Sequence, residues 1–165
     1  MAKRKDKKHA EAKNTKRNIS ISGLPPSWIW TTLGEVCLQS QYGWTTSASS
    51  EGNLHLLRTT DITSGKIDWG SVPYCAEEPP EIEKYLLHDG DIVISRAGSI
   101  GFSLLIKNPE PAVFASYLIR FKPLIDEQYA KYFLQTPAYW LPFRLKIWQL
   151  SRIVFELPIP TDWTP

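Results

Sequence analysis

The run LHDGDIVISRAGSIG, residues 87–101, constrains the fold of this chain more than any other stretch. Asp89-Gly90 is a turn dipeptide. Ile92, Val93 and Ile94 form a short β-branched run suited to a buried strand. Gly98 and Gly101 then bracket a loop that carries Ser95, Arg96 and Ser99. Small residues in such a loop let backbone N–H groups approach a ligand closely, and Arg96 adds a fixed positive charge. The arrangement suits an anionic partner such as a phosphate.

A chain of 165 residues holds one domain with a real core and not two. Its 42% hydrophobic and 22% charged content is ordinary for a soluble globular protein. No apolar run approaches the ~18 residues of a membrane span. The N-terminus has no hydrophobic signal core, which points to the cytoplasm. Cys37 and Cys75 are far apart, and His9, His55 and His88 are scattered. A zinc site needs about four ligands, commonly in close pairs, so buried thiols and no metal are expected.

Charge is unevenly placed. Residues 1–17 hold eight Lys and Arg against Asp6 and Glu11, a net of +6. The whole chain is +2, so residues 18–165 net 2 − 6 = −4. Residues 1–22 read as a disordered basic arm, chiefly a solvated tail, with weak phosphate contact as a secondary role. Deleting it should leave the melting temperature nearly unchanged.

The folded body is expected over 23–160. Trp28 and Trp30 alternate with polar neighbours, as in a short strand. Residues 33–38 read as a helical turn and 39–53 as a long polar loop of the functional kind. Strands are expected at 54–60, 91–95, 102–106, 113–121 and 154–160, with a turn at Ser64-Gly65 and an irregular insert at 77–80. Asp126 should cap a helix that turns Tyr129, Tyr132 and Phe133 inward. Pro137 should interrupt it, and a second helical piece should follow over 138–147. The expected class is α+β, with an irregular, loop-rich β-sheet and C-terminal helices.

A catalytic constellation is not visible. Asn108-Pro109-Glu110-Pro111 only superficially resembles the loop by which adenine methyltransferases hold a flipped base, and no glycine-rich cofactor loop accompanies it. It reads as a polar turn. No Gly-Lys-Ser/Thr phosphate loop occurs. Asp89 and Asp91 are turn residues more simply than a nuclease pair. Ser47, Ser99 and Ser116 have no histidine at a recognisable spacing. An enzyme, a cofactor and a small-molecule substrate are therefore not expected.

Recognition chemistry remains. Arg58, Lys66, Arg96 and Arg120 can each bond guanine edges or phosphates, with a structural ion pair as the alternative for each arginine. Tyr42, Trp44, Thr45, Thr46 and Ser47 offer hydroxyls and aromatic faces. Tyr42 and Trp44 can equally anchor the loop to the core. Ser99 joins this group from the glycine loop. The segments 42–50, 58–68 and 96–100 are expected to share one surface.

The ordered set YGWTTSA (42–48), LLRTTDITSGKIDW (56–69), VPYC (72–75), the 87–101 run and AVFASYLIRF (112–121) resembles a target-recognition domain of the DNA-specificity (S) subunit of type I restriction-modification systems. The resemblance covers about 24–160. It implies double-stranded DNA as partner, one half of a split site per domain, and docking to methyltransferase (M) and restriction (R) subunits or to a second specificity half-subunit. It also implies that chemistry belongs to those other subunits. In the family a long spacer helix follows, so 161–165 reads as a truncated tail before that helix. The rival reading is a vestigial or regulatory half-subunit that acts through protein–protein contacts only.

Overall fold

A computed structural model describes residues 24–144 and 156–163. Its strands are β1 (Trp28–Thr32), β2 (Cys37–Tyr42), β3 (Ala48–Ser49), β4 (His55–Leu57), β5 (Tyr74–Cys75), β6 (Ile92–Ser95), β7 (Ser103–Leu105), β8 (Ala112–Phe114), β9 (Leu118–Pro123) and β10 (Glu156–Pro160). Its helices are α1 (Thr59–Ile62), α2 (Ile82–Tyr85), α3 (Glu127–Phe133) and α4 (Pro137–Arg144), with a 3-10 turn at Trp69–Ser71. The mixture is α+β.

Three sheets organise these pieces. The first pairs β1 with β10, the second runs β2-β9-β6-β7, and the third runs β3-β5-β4-β8. β6 is hydrogen-bonded on both sides, antiparallel to β7 and to β9. All four of its residues are buried, which is why its sequence is a continuous apolar run rather than an alternating one. Successive side chains leave a strand on opposite faces. Ile92 and Ile94 accordingly join a core with Leu33, Phe133, Tyr139 and Leu157. Val93 joins a different core with Leu57, Ile62, Phe114 and Leu118. One central strand thus holds α3 and α4 on one face and the third sheet with α1 on the other.

Gly90 and Gly98 adopt left-handed backbone angles, φ 85° and 74°, as the turn and loop reading of 87–101 requires. Asp126 caps α3, its Oδ1 accepting from the Tyr129 N–H at 2.7 Å. Phe133 is buried and Tyr129 packs against the same core, but Tyr132 is 63% exposed, so the inward expectation fails for that ring. Pro137 opens α4 instead of interrupting a helix, since the first helical turn needs no proline N–H.

Residues 33–38 do not form a helical turn that runs to residue 38. The Glu35 carboxylate accepts from the Thr32 N–H and the Thr31 hydroxyl, both at 2.9 Å, which closes a tight turn. Cys37 then starts β2, which pairs antiparallel with β9. The polar loop expected over 39–53 is consequently shorter at its start and is crossed by β3. The apolar run 113–121 is two strands in two sheets. A bond from the Leu118 N–H to the Ala115 carbonyl, 2.8 Å, turns the chain between β8 and β9. The basic arm 1–22, residues 145–147 of the second helical piece, the start of the final strand at Val154, and residues 164–165 lie outside the described residues.

Candidate nucleic-acid interface

The second sheet brings several polar and aromatic groups to one of its ends. Tyr42, the last residue of β2, pairs with Ile119, and Ser95, the last residue of β6, pairs with Leu118. The loop after β6 and the Ala115–Tyr117 turn before β9 therefore emerge beside the end of β2. Gly43 makes this closeness possible. A Cβ there would lie 2.2 Å from the Ala115 carbonyl oxygen and 2.3 Å from that of Phe114.

Arg96 stands at the centre of this end. Its N–H donates to the Tyr117 carbonyl at 2.9 Å and its Nε to the Ser116 carbonyl at 3.0 Å. Its guanidinium lies 5.0 Å from the centre of the Tyr42 ring, in cation–π range. Tyr42 is 54% exposed and Tyr117 is 58% exposed, so the exposed cation lies on one exposed aromatic ring and beside the backbone of a second exposed tyrosine. The sequence reading did not single out Tyr117; its place in the FASYLIRF run was the available signal.

The glycine loop is braced from within. The buried Ser95 hydroxyl sits between the carbonyl oxygens of Ala97 and Ser99, at 3.2 and 2.5 Å. The Gly101 N–H returns to the Ser95 carbonyl at 2.9 Å. The wholly buried Tyr139 of α4 donates its hydroxyl to the Gly101 carbonyl at 3.0 Å. A Cβ on Gly98 would lie 3.8 Å from the Thr59 hydroxyl, so α1 borders the loop. Segments 42–43, 58–59 and 96–100 thus meet. Lys66 and Ser99 are exposed, Lys66 in the turn after α1.

The other expected contact residues are placed differently. Arg58 forms a two-bond pair with Asp61, Nε to Oδ2 at 3.0 Å and Nη2 to Oδ1 at 2.8 Å. That carboxylate raises the Arg58 pKa. Trp44 anchors its loop. Its Nε1 donates to the Glu77 carbonyl at 2.9 Å and its ring packs on Tyr85. The Thr46 hydroxyl accepts from the Glu77 N–H, and the Ser47 carbonyl accepts from the Ala76 N–H. Thr45 and Ser47 are exposed beside them.

Arg120 is interior, 7% exposed, and its expected place at a DNA surface does not hold. Nη1 donates to the Leu86 carbonyl at 2.7 Å and Nη2 to the Lys84 carbonyl at 3.1 Å. The buried Asp91 carboxylate is 3.8 Å away, and the Phe114 ring lies under the guanidinium. Burial lowers the Arg120 pKa and raises that of Asp91, each partner's charge opposing the shift of the other. The alternation of β9 puts Arg120 on the same face as buried Leu118, so a charge within an apolar run marked an interior latch.

Both cysteines are buried free thiols. Burial pushes Cys37 up to about 12 and Cys75 up to about 11. Among the described residues, no three His, Cys, Asp or Glu side chains are grouped to hold a metal ion. No described helix is long and apolar enough to cross a membrane.

These features define an α+β domain with a cationic, aromatic rim of loops at one sheet end. No protein-family model matches the chain. It is 29% identical over 118 residues to the type I restriction enzyme EcoEI specificity subunit of Escherichia coli, a match covering 66% of this chain and 20% of that protein. Its fold matches the crystal structure of the HsdS subunit from Thermoanaerobacter tengcongensis, with TM-score 0.63 and 20% identity, over 86% of this chain and 35% of that one. It also matches a chain from a structural study of complex assembly and conformational transition in the type I R-M system, with TM-score 0.61 and 19% identity, over 86% of this chain and 36% of that one. The chain therefore spans about a fifth of the curated relative and about a third of the solved ones. The chain is thus similar in sequence to a type I restriction enzyme specificity subunit and shares its fold with part of an HsdS subunit.

Proposed function

We propose that the chain is a non-catalytic DNA-specificity domain that reads half of a split site and directs methyltransferase and restriction subunits to it. The observation that carries this reading is the 118-residue sequence match to a specificity subunit. The rim of Tyr42, Arg96, Tyr117 and the glycine loop supports it, because exposed cations and aromatics suit phosphates and bases. The net charge of −4 over residues 18–165 argues that affinity comes from this local cluster and from partners, not from the bulk field.

The test is a fluorescence-anisotropy titration against a random duplex pool at several salt concentrations. The expected dissociation constant is no tighter than ~10⁻⁶ M at physiological salt, weakening steeply as salt rises. Rigid linkage of two such half-site contacts raises affinity by roughly 10²–10⁴. Sequence-selective nanomolar binding by the purified chain would remove the need for a partner. Complete lack of salt-dependent binding would favour the rival, a protein that acts through protein contacts alone.

A further inference from the structure

Four carbonyl groups of the glycine loop are occupied. Ala97 and Ser99 face the Ser95 hydroxyl, Gly98 accepts from the Ile100 N–H at 2.9 Å, and Gly101 accepts from Tyr139. Three of its N–H groups, at residues 97–99, are not. Among the described residues, nothing accepts from the N–H of Ala97, Gly98 or Ser99, whereas the Arg96 N–H is used by Tyr117. The left-handed angle at Gly98 is the conformation that turns successive N–H groups toward one concavity able to hold an anion.

Arg96 completes the arrangement. Its Nε is fixed by the Ser116 carbonyl and its plane by Tyr42, while Nη1 and Nη2 have no acceptor among the described residues. No described carboxylate contacts Arg96 or residues 97–101. At the border, Asp61 is neutralised by Arg58. The loop therefore offers three backbone donors and one oriented, unquenched cation.

We propose that residues 96–99 form a phosphate-oxygen site, with the N–H groups of Ala97, Gly98 and Ser99 and the Arg96 guanidinium as donors. The choice of a nucleic-acid phosphodiester as its ligand rests on the DNA-binding reading above. Charge-assisted bonds from backbone N–H and from arginine are the strong class of hydrogen bond, and arginine's planar fork adds orientation. The contact positions a backbone and carries no base information.

The test follows the amide resonances of the full chain by two-dimensional NMR during titration with inorganic phosphate, with sodium chloride at equal ionic strength as control. The amides of residues 97–99 should move and saturate in the millimolar range. Arg96→Gln should weaken that binding about tenfold. Arg96→Lys should restore part of it by keeping the charge. Unmoved spectra elsewhere would show that both variants remain folded. Amides that follow chloride equally, or that respond to phosphate unchanged in Arg96→Gln, would overturn the site. A duplex arm separates the two readings. If the wild type binds duplex, Arg96→Gln should lower its salt slope by about 1. Phosphate-responsive amides without duplex binding would leave this site standing and refute the DNA reading. Duplex binding with unmoved amides at 97–99 would do the reverse.

Discussion

Replacing Arg120 with methionine should cost folding stability rather than recognition. Methionine keeps the apolar stem over Phe114 but removes the guanidinium. Three groups then lose a partner: the carbonyls of Leu86 and Lys84, and the Asp91 carboxylate at 3.8 Å, which keeps the His88 N–H but loses the facing charge. Breaking a buried charge pair by removing one member costs about 3–5 kcal/mol, the orphaned carbonyls included. That is a large part of the roughly 5–15 kcal/mol that holds a domain together. Urea denaturation at neutral pH reads it directly. Asp91→Asn in the same chain removes the stranded charge and should recover roughly half of the loss. The pH dependence has a definite sign. Burial already raises the Asp91 pKa above its ordinary 3.8, against the Arg120 charge, so losing that charge raises it further. A folded-state carboxyl with a raised pKa binds its proton more tightly than the unfolded chain does. Its contribution is present below 3.8 and is lost as pH rises through the folded value. The deficit of Arg120→Met should therefore shrink as pH falls from neutrality toward 3.8. A loss under ~1 kcal/mol with weakened DNA binding would refute this account and return Arg120 to the interface.

Two further outcomes follow from local geometry. Gly43→Ala should destabilise by about 2 kcal/mol or more in a thermal melt, because its Cβ would strike backbone oxygens that cannot rotate aside; an unchanged melting temperature would mean that the β2 end is free to move. Cys37 and Cys75, at about 12 and about 11, hold almost no thiolate at pH 8, so a thiol reagent should label them only on unfolding; rapid labelling of the native chain would contradict their burial.

The most legible parts of the fold were those specified within a few residues. The Asp-Gly turn, the β6 run, the Asp126 cap and the Ser64-Gly65 turn each carry their own chemistry. What escaped was fixed at long range. Residues 37–42 lack a strand-like alternation and become β2 because β9 offers a partner. The break between β8 and β9 has no glycine or proline to mark it, since it arises from Ala115 bridging to Trp44 and Leu118 turning back. The candidate site divides similarly. Arg96 entering a glycine loop was readable as an exposed cation. Whether Arg58 and Arg120 faced solvent depended on Asp61 and on two carbonyls more than thirty residues from Arg120.

The separation of frame from rim has a consequence for how such a domain changes what it binds. The loop end of the second sheet is held from several directions. Tyr139 grips Gly101 from α4, and Phe102 meets Trp140 edge-on. Thr59 borders Gly98, and the Ser116 and Tyr117 carbonyls hold Arg96. Binding groups carried on loops keep their geometry when the supporting residues are locked by packing and hydrogen bonds. Tyr42, Arg96, Ser99 and Tyr117 are exposed, and the Arg96 side chain meets the frame through its Nε bond to the Ser116 carbonyl and the Tyr42 ring face. Substitution at Tyr42, Ser99 or Tyr117 alters the surface offered to a ligand while leaving the Ser95 and Tyr139 bonds intact. Substitution at Gly43, Arg120 or Tyr139 alters the frame itself. On the proposed reading, the rim can therefore vary without a new fold, provided Arg120, Tyr139 and Gly43 stay in place.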